Sequence, residues 1–464
     1  MEPSWISVIP PLLAVFLAFI TRDAIFSLAI ACLAGVLLMG QGLSGFPSLI
    51  TRSLGTEDFI WICLVELFIG ILVAFFQRCG AIAMFTQRAA KWATTRKQVG
   101  ILSWGLGIGI FFSDYFSPLF VGAVMRNLTD KFKISREKLA YICDSTSAPM
   151  VVLIPISGWA VYLSGLAIGL GDISNKDQAM SLFVHSIPYN FYGIFAILMV
   201  GMLSLEILPE FGPMRKAEER ALKTGKLLRD GALPMMGKEL TDLKVSESTR
   251  PNIYLNFLFP VAIIVGTNII TFAVTGRASI LESFMLACVV LGVIIWIQQV
   301  DTLRGIVQIA TAGMKGVIPA VIILALAYCI NTVSREMKTA EYVVEITRTW
   351  LSPGLLPFLV FLISGFVSFS TGTSWGTYAI MVPIALPLAF QFSGGMLDSF
   401  VFATFAAVAG GGVFGDHCSP LSDTTVLSSL GSACDHIDHV KTQLPYALVI
   451  AAIVSVIYLL IGFY

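Results

Sequence analysis

The run Gly410-Gly411-Gly412-Val413-Phe414-Gly415-Asp416-His417-Cys418-Ser419-Pro420-Leu421-Ser422-Asp423-Thr424-Thr425 sets two carboxylates and several hydroxyls between apolar flanks. Its glycines permit close backbone approach and an unwound segment, and its proline frees a carbonyl. Carboxylate and hydroxyl oxygens are hard ligands suited to Na⁺. Asp416 and Asp423, with Ser419 and Thr424, are therefore candidate ligands, and His417 lies in the same patch. The competing reading is a water-exposed loop with a helix cap, because Asp, Ser and Thr before an apolar run are ordinary N-caps. The flanking apolar runs favour ligands.

A second constellation, Asp144-Ser145-Thr146-Ser147-Ala148-Pro149, repeats the recipe of one aspartate, hydroxyls and a proline inside an apolar span. Asp144 either supplies a ligand at a helix break or caps the next fragment. Two polar tips accompany these breaks: Ser113-Asp114-Tyr115-Phe116-Ser117-Pro118 and Ser370-Thr371-Gly372-Thr373-Ser374-Trp375-Gly376-Thr377. Asp114 is the only formal charge in residues 99–125. At membrane depth it must pair, take a proton or meet water. Asp114, Ser147, Thr371, Gly372, Thr373, Ser374 and His417 are candidates for gating or for holding a substrate. Glu66, within an apolar span, either joins a proton path or bonds a neighbouring helix. The run Asp435-His436-Ile437-Asp438-His439 could bind a metal or sense pH, since His titrates near neutrality; its position at a span end favours a solvated cap.

What must position these residues follows from composition. Of 464 residues, 56% are apolar and 12% are charged, with 29 basic against 29 acidic side chains. Successive apolar stretches each suit a bilayer core of about 30 Å, so an all-α polytopic membrane protein is predicted. The charge balance lacks the basic footprint of a nucleic-acid binder. The stretch Ile6–Ile20 has no small-residue cleavage pattern before Arg22 and is expected to be a first span. The eight cysteines lie mostly in apolar runs without paired metal spacing, as reduced packing residues.

Basic residues set the expected sidedness. Residues 78–98 carry Arg78, Arg88, Lys91, Arg96 and Lys97; residues 126–138 carry Arg126, Lys131, Lys133, Arg136 and Lys138; the stretch 208–250 is dense in both types. All three should be cytoplasmic. The apolar stretch 99–125 between the first two then begins and ends on one side, where two full spans would need about 40 residues. A re-entrant hairpin fits, with Asp114 and Pro118 at its tip. Spans are expected near 5–20, 24–42, 59–77, 139–169 and 188–207, then 253–275, 280–298 and 316–334. A mixed-charge outer loop from Arg335 to Arg348, an apolar stretch 352–392 long enough for two spans or one hairpin and centred on the Ser/Thr/Gly tip, a span at 397–431 and a last one at 443–463 follow. Residues 78–98, with Trp92, suggest an interfacial helix.

The two halves, 1–207 and 251–464, each contain three spans, a hairpin, a span broken at a polar patch and a final span, joined by the connector 208–250. One half begins outside and the other inside, which is an inverted repeat of roughly ten spans plus two hairpins. Such repeats, with discontinuous helices meeting near the midplane, belong to secondary transporters.

At these motifs the chain resembles the NhaC family of sodium/proton antiporters. The likeness rests on Gly415-Asp416-His417-Cys418-Ser419-Pro420-Leu421-Ser422-Asp423-Thr424-Thr425-Val426-Leu427-Ser428-Ser429. The first half agrees through Asp114-Tyr115-Phe116, Met125-Arg126, Thr129-Asp130, Lys133 to Tyr141, Asp144-Ser145-Thr146 and Pro155-Ile156-Ser157-Gly158-Trp159. The resemblance implies a carrier of the bacterial cytoplasmic membrane driven by Na⁺ or H⁺, working as a homodimer with no cofactor beyond the transported or coupling Na⁺. It also covers carriers of carboxylates and amino acids.

The preferred expectation is Na⁺/H⁺ antiport by alternating access. A carboxylate withdrawn from water holds either H⁺ or Na⁺, and exposing it to each side in turn makes exchange. Asp144, Asp416 and Asp423 carry the ion, with Ser145, Thr146, Ser147, Ser419 and Thr424 completing the shell. The alternative is a Na⁺- or H⁺-coupled carrier of a small organic solute, an amino acid or carboxylate. An intramembrane aspartyl protease fails at its motif, since Val413 and Asp114-Tyr115 stand where Gly-x-Gly-Asp and Tyr-Asp are required. A channel is disfavoured by the repeat.

Overall fold

The structure is a computed structural model that describes the chain apart from residues 1, 2, 22, 112, 113, 156, 238–242, 247–251, 276–278, 348–351 and 464. Arg22, Ser113 of the first tip, Ile156, Arg348 and parts of the connector thus lie outside the described residues.

Helices α1 (Ile9–Thr21), α2 (Ala24–Leu38), α3 (Gly45–Leu54), α4 (Glu57–Arg78) and α5 (Ala81–Trp92) lead to the first hairpin, α6 (Arg96–Gly109) and α7 (Phe116–Lys131). The first broken segment is α8 (Arg136–Ser145), α9 (Ala148–Val151) and α10 (Gly158–Ala167), followed by α11 (Lys176–Ser186), α12 (Phe191–Ser204) and α13 (Gly212–Thr224). The second half runs α14 (Phe259–Thr275), α15 (Ile280–Ile297), α16 (Leu303–Glu336), α17 (Thr339–Thr347), the hairpin α18 (Leu356–Thr371) and α19 (Ser374–Phe392), the broken pair α20 (Ser399–Cys418) and α21 (Asp423–Ser432), and α22 (His436–Phe463).

Among the described residues eight helices are long and apolar enough to cross a bilayer, or nine if Lys176–Tyr189 and Phe191–Ser204, bent by 47°, form one span. Two shorter apolar helices, Trp5–Thr21 and Ala24–Leu38, come first. The protein is an all-helical, multi-pass membrane protein.

Local chemistry explains both breaks. Pro149 sits in the first turn of α9, where its missing N–H is not needed, so α8 stops at Ser145 and a fresh helix starts three residues on. In the second half Ser419-Pro420 ends α20, and Ser422 restarts the chain by accepting from Thr425 N. Tight crossings fix the neighbours. A Cβ on Gly313 of α16 would fall 2.4 Å from the Gly70 carbonyl oxygen of α4, and one on Gly70 would fall 2.5 Å from the Gly313 oxygen, so these helices meet backbone to backbone. Gly122 of α7 and Gly431 of α21 are locked in the same way.

The apolar interior forms two large cores. One takes in α1 to α8 and α14 to α16 as far as Cys143, and resumes at Leu421; the other runs from Ala148 through α10 to α12 and α18 to α20 as far as Val413. Asp144–Ser147 and Gly415–Pro420 thus lie at the seam, where the chain passes from one core to the other.

Several expectations need correction. Pro118 is the third residue of α7, inside its first turn, and not at the hairpin tip. The segment 139–169 is interrupted twice, at Thr146-Ser147 and across 152–157. The span expected at 316–334 is the second half of a 34-residue helix with Pro319 inside it, and the outer loop is largely α17. Arg126, assigned to a loop, is buried within α7. Trp92, by contrast, is exposed at the end of α5, as an interfacial helix requires.

Candidate ion-binding site at the helix breaks

Asp144 ends α8, whose start is anchored by ion pairs: Arg136 to Asp130, Glu137 to Arg220 and Lys138 to Glu210. The carboxylate is fully buried. Its Oδ2 accepts from Gln443 Nε2 of α22 at 2.6 Å and stands 3.3 Å from both Thr425 Oγ1 and His439 Nε2, while its Oδ1 has no hydrogen-bond partner. Asp416, near the end of α20, is also buried. Ser374 Oγ, at the start of α19, donates to its Oδ2 at 2.9 Å, and Oδ1 again has no partner.

Thr425 Oγ1 links the two aspartates, lying 3.3 Å from Asp144 Oδ2 and 3.3 Å from the Asp416 carbonyl oxygen. Gln443 Nε2 also donates to the His417 carbonyl, and Gln443 Oε1 accepts nothing. Three buried acceptor oxygens on residues joined through Thr425 and Gln443, namely Asp144 Oδ1, Asp416 Oδ1 and Gln443 Oε1, are therefore without donors. Orphan acceptors are uncommon in protein interiors and call for a positive partner. Among the described residues no three His, Cys, Asp or Glu side chains converge as a metal set. Carboxylate, amide and hydroxyl oxygens, with few imidazoles, match a hard monovalent cation better than a transition metal.

The remaining candidates divide. Ser145 Oγ pairs with His417 Nε2 at 2.9 Å, and Tyr192 OH with His417 Nδ1 at 2.9 Å, so this imidazole is held from both sides within the cluster. Thr146 and Ser147 donate to carbonyls of their own segment, Ile142 and Asp144. Ser419 Oγ donates to the Phe369 carbonyl of α18 at 2.7 Å, tying the second break to the second hairpin. Thr424 Oγ1 pairs with Ser422, and Thr371 Oγ1 returns to Val367. Thr373 is the N-cap of α19 without a side-chain bond. Gly372 has φ of 72°, and an added Cβ would fall 2.5 Å from the Leu421 carbonyl oxygen, so only glycine fits where the hairpin turns against the break.

Asp423 takes its donors from elsewhere, although its charge reaches Asp416 more strongly than that of Asp144 does. Its Oδ2 accepts from Tyr115 OH at 3.0 Å and its Oδ1 from Thr424 N, on the side of the first hairpin tip. Asp114 is buried there as well, with Trp159 Nε1 donating to its Oδ2 at 2.7 Å, so this tip does not simply reach water. The Trp159 ring packs on Trp375 of the second hairpin with centroids 4.0 Å apart, and Tyr162 OH donates to the Trp375 carbonyl at 3.0 Å.

Reading Asp435-His436-Ile437-Asp438-His439 as a solvated cap is wrong in its environment. Asp435 does cap α22, accepting from Asp438 N at 3.1 Å, but all five residues are buried. The connector covers them, with Leu233 N donating to Asp435 and Arg229 pairing with Asp438 at 2.9 Å. His436 Nε2 donates to the Pro420 carbonyl freed by the break. Gln443, Thr425, Tyr115 and Trp159 went unnoticed as site residues. Gln443 lies seven residues beyond His436, two turns along one helix face, a spacing that could have flagged it.

Comparisons with known proteins agree with this architecture. Residues 150–463 match the Na+/H+ antiporter family. An uncharacterized protein of Haemophilus influenzae is 34% identical, with 98% of this chain and 91% of that one covered. An uncharacterized Na(+)/H(+) antiporter of the same organism is 32% identical over 24% of this chain and 26% of its own. The malate-2H(+)/Na(+)-lactate antiporter of Bacillus subtilis is 30% identical over 25% of this chain and 27% of its own. The match over most of the chain and the polytopic helical fold together place the protein in the Na⁺/H⁺ antiporter family, as a membrane transporter.

Proposed function

We propose that the protein exchanges Na⁺ for H⁺ across the bacterial cytoplasmic membrane by alternating access. The observation that carries this reading is the group of donorless oxygens on Asp144, Asp416 and Gln443, with Thr425 Oγ1 between the two aspartates. Na⁺ would take these oxygens; without it Asp416, with Ser374 as its donor, needs a proton or another neutralising partner, whereas Asp144 keeps Gln443, Thr425 and His439 on its other oxygen. The two halves 1–207 and 251–464 act as inverted repeats about the α4–α16 crossing in a homodimer. The hairpin turns, at Asp114 and at Thr371 to Ser374, close the site from opposite sides.

The test is flux into proteoliposomes containing a pH dye, with NaCl, KCl or LiCl added outside. Na⁺-driven pH change that disappears in Asp416→Asn supports the reading; salts without effect contradict it. A second reading, a cation-coupled carrier of a small organic solute, draws on Asp114 beside Trp159, Tyr162 and Trp375, where a carboxylate and aromatic faces suit an ammonium group. Uptake of one amino acid or carboxylate, with salts silent, is its signature.

A further inference from the structure

Glu66 stands outside everything assigned so far. It lies in the span Phe59–Arg78, about two turns from the start, and is fully buried. Neither carboxyl oxygen has a hydrogen-bond partner. It is one turn before Gly70, so it shares the face of α4 that meets α16 backbone to backbone. A glutamate kept to bond a neighbouring helix would show that bond; this one shows none. An ionised carboxylate so placed, without a donor or a counter-charge, is strongly unfavourable, so it must hold a proton for much of its time.

The surrounding groups do not neutralise it. Asp423 of α21 is the charged group whose field reaches it, and Cys63 on its own helix feels it in turn. From α15, Cys288 Sγ is engaged with the Phe68 carbonyl at 3.2 Å. The phenols that pack on α4 are Tyr328 of α16, edge-on to Phe59, and Tyr115 beside the first hairpin turn, edge-on to Trp61. The basic groups of α3 and α4, Arg52 and Arg78, pair with Glu336 and Asp301, and Lys315 of α16 is exposed.

The geometry points to Glu66 as a proton-binding site of the transport cycle, separate from the oxygens proposed for Na⁺. It takes up a proton when its side of the α4–α16 crossing meets water and releases it when the facing environment changes. H⁺ and Na⁺ then need not compete for a single carboxylate, and one transported proton travels on Glu66. Its place in the cycle rests on the Na⁺/H⁺ reading above; its protonation does not.

Two measurements on the full chain in liposomes separate these. Infrared difference spectra between acid and alkaline buffer should contain a protonated-carboxyl band that is lost in Glu66→Gln and shifted in Glu66→Asp, which keeps the acid if the glutamine variant fails to assemble. Identical spectra in all three overturn the proposal. In the flux assay, Glu66→Gln should keep radiosodium exchange, which needs no proton, while the H⁺-to-Na⁺ ratio falls by one; Glu66→Asp restores it. An unchanged ratio, or equal loss of radiosodium exchange, removes Glu66 from the cycle. If the wild type moves no protons with Na⁺, the antiport reading fails, and the infrared band still decides whether Glu66 binds a proton.

Discussion

Two groups of buried carboxylates differ in what surrounds them. Asp144 and Asp416 sit among Thr425, Ser374, Gln443, His417 and His439, and each keeps one oxygen free of donors. Asp114 and Asp423 are held instead by the indole of Trp159 and the phenol of Tyr115, with Glu66 beyond them lacking any bond. The first arrangement offers oxygens to a cation. The second supplies large O–H and N–H donors, which fix a carboxylate in place and pack its flanks with apolar rings. A carboxylate beside a polar turn is therefore not enough to define an ion ligand; the donors already committed to it decide what else it can hold.

The sharpest break of that contrast is expected from Asp144→Asn, which should abolish Na⁺-dependent flux while leaving the elution profile of the detergent-purified protein unchanged. Comparable loss in Asp114→Asn would erase the distinction. Gln443→Leu removes both an orphan oxygen and a donor to Asp144; loss of the donor alone typically weakens ion affinity about 10- to 100-fold, so at least that loss is expected, and titration of Na⁺-driven flux against Na⁺ concentration measures it. Gly313→Val forces a side chain into the Gly70 backbone and should lower stability by roughly 1–3 kcal/mol, visible as a lower melting temperature, without selective effect on either carboxylate group. Tyr115→Phe should have the smallest effect on Na⁺ binding. It removes one donor to Asp423, a bond worth about 1.5–3 kcal/mol to a charged group, and should alter the pH dependence of flux while leaving apparent Na⁺ affinity unchanged.

Much of this was legible in the chain. Pro149, two residues after Ser147, and Pro420, next to Ser419, located both helix breaks, and the glycine at 372 marked the second hairpin turn, because proline and glycine act through local backbone geometry. The order of elements also sets Asp144 and Asp416 at the two helix breaks. Which donors hold each aspartate was not legible, since Asp423, seven residues beyond Asp416 and within reach of its charge, takes its side-chain donor from Tyr115 of the first hairpin. Nor was the burial of His436 and His439. A polar run at a helix start looks solvated until the connector, whose own sequence is polar, folds over it and satisfies Asp435 and Asp438 through Leu233 and Arg229. For Gln443 the seven-residue spacing from His436 was the available signal, and the approach of α22 to α8 gives it its role.

The most direct measurement is radiosodium exchange in proteoliposomes by the wild type, Asp416→Asn and Asp423→Asn, all at a single alkaline pH. Exchange lost in Asp416→Asn and retained in Asp423→Asn is the expected result. Exchange retained in Asp416→Asn, or lost only in Asp423→Asn, would contradict the placement of Na⁺ between the two helix breaks.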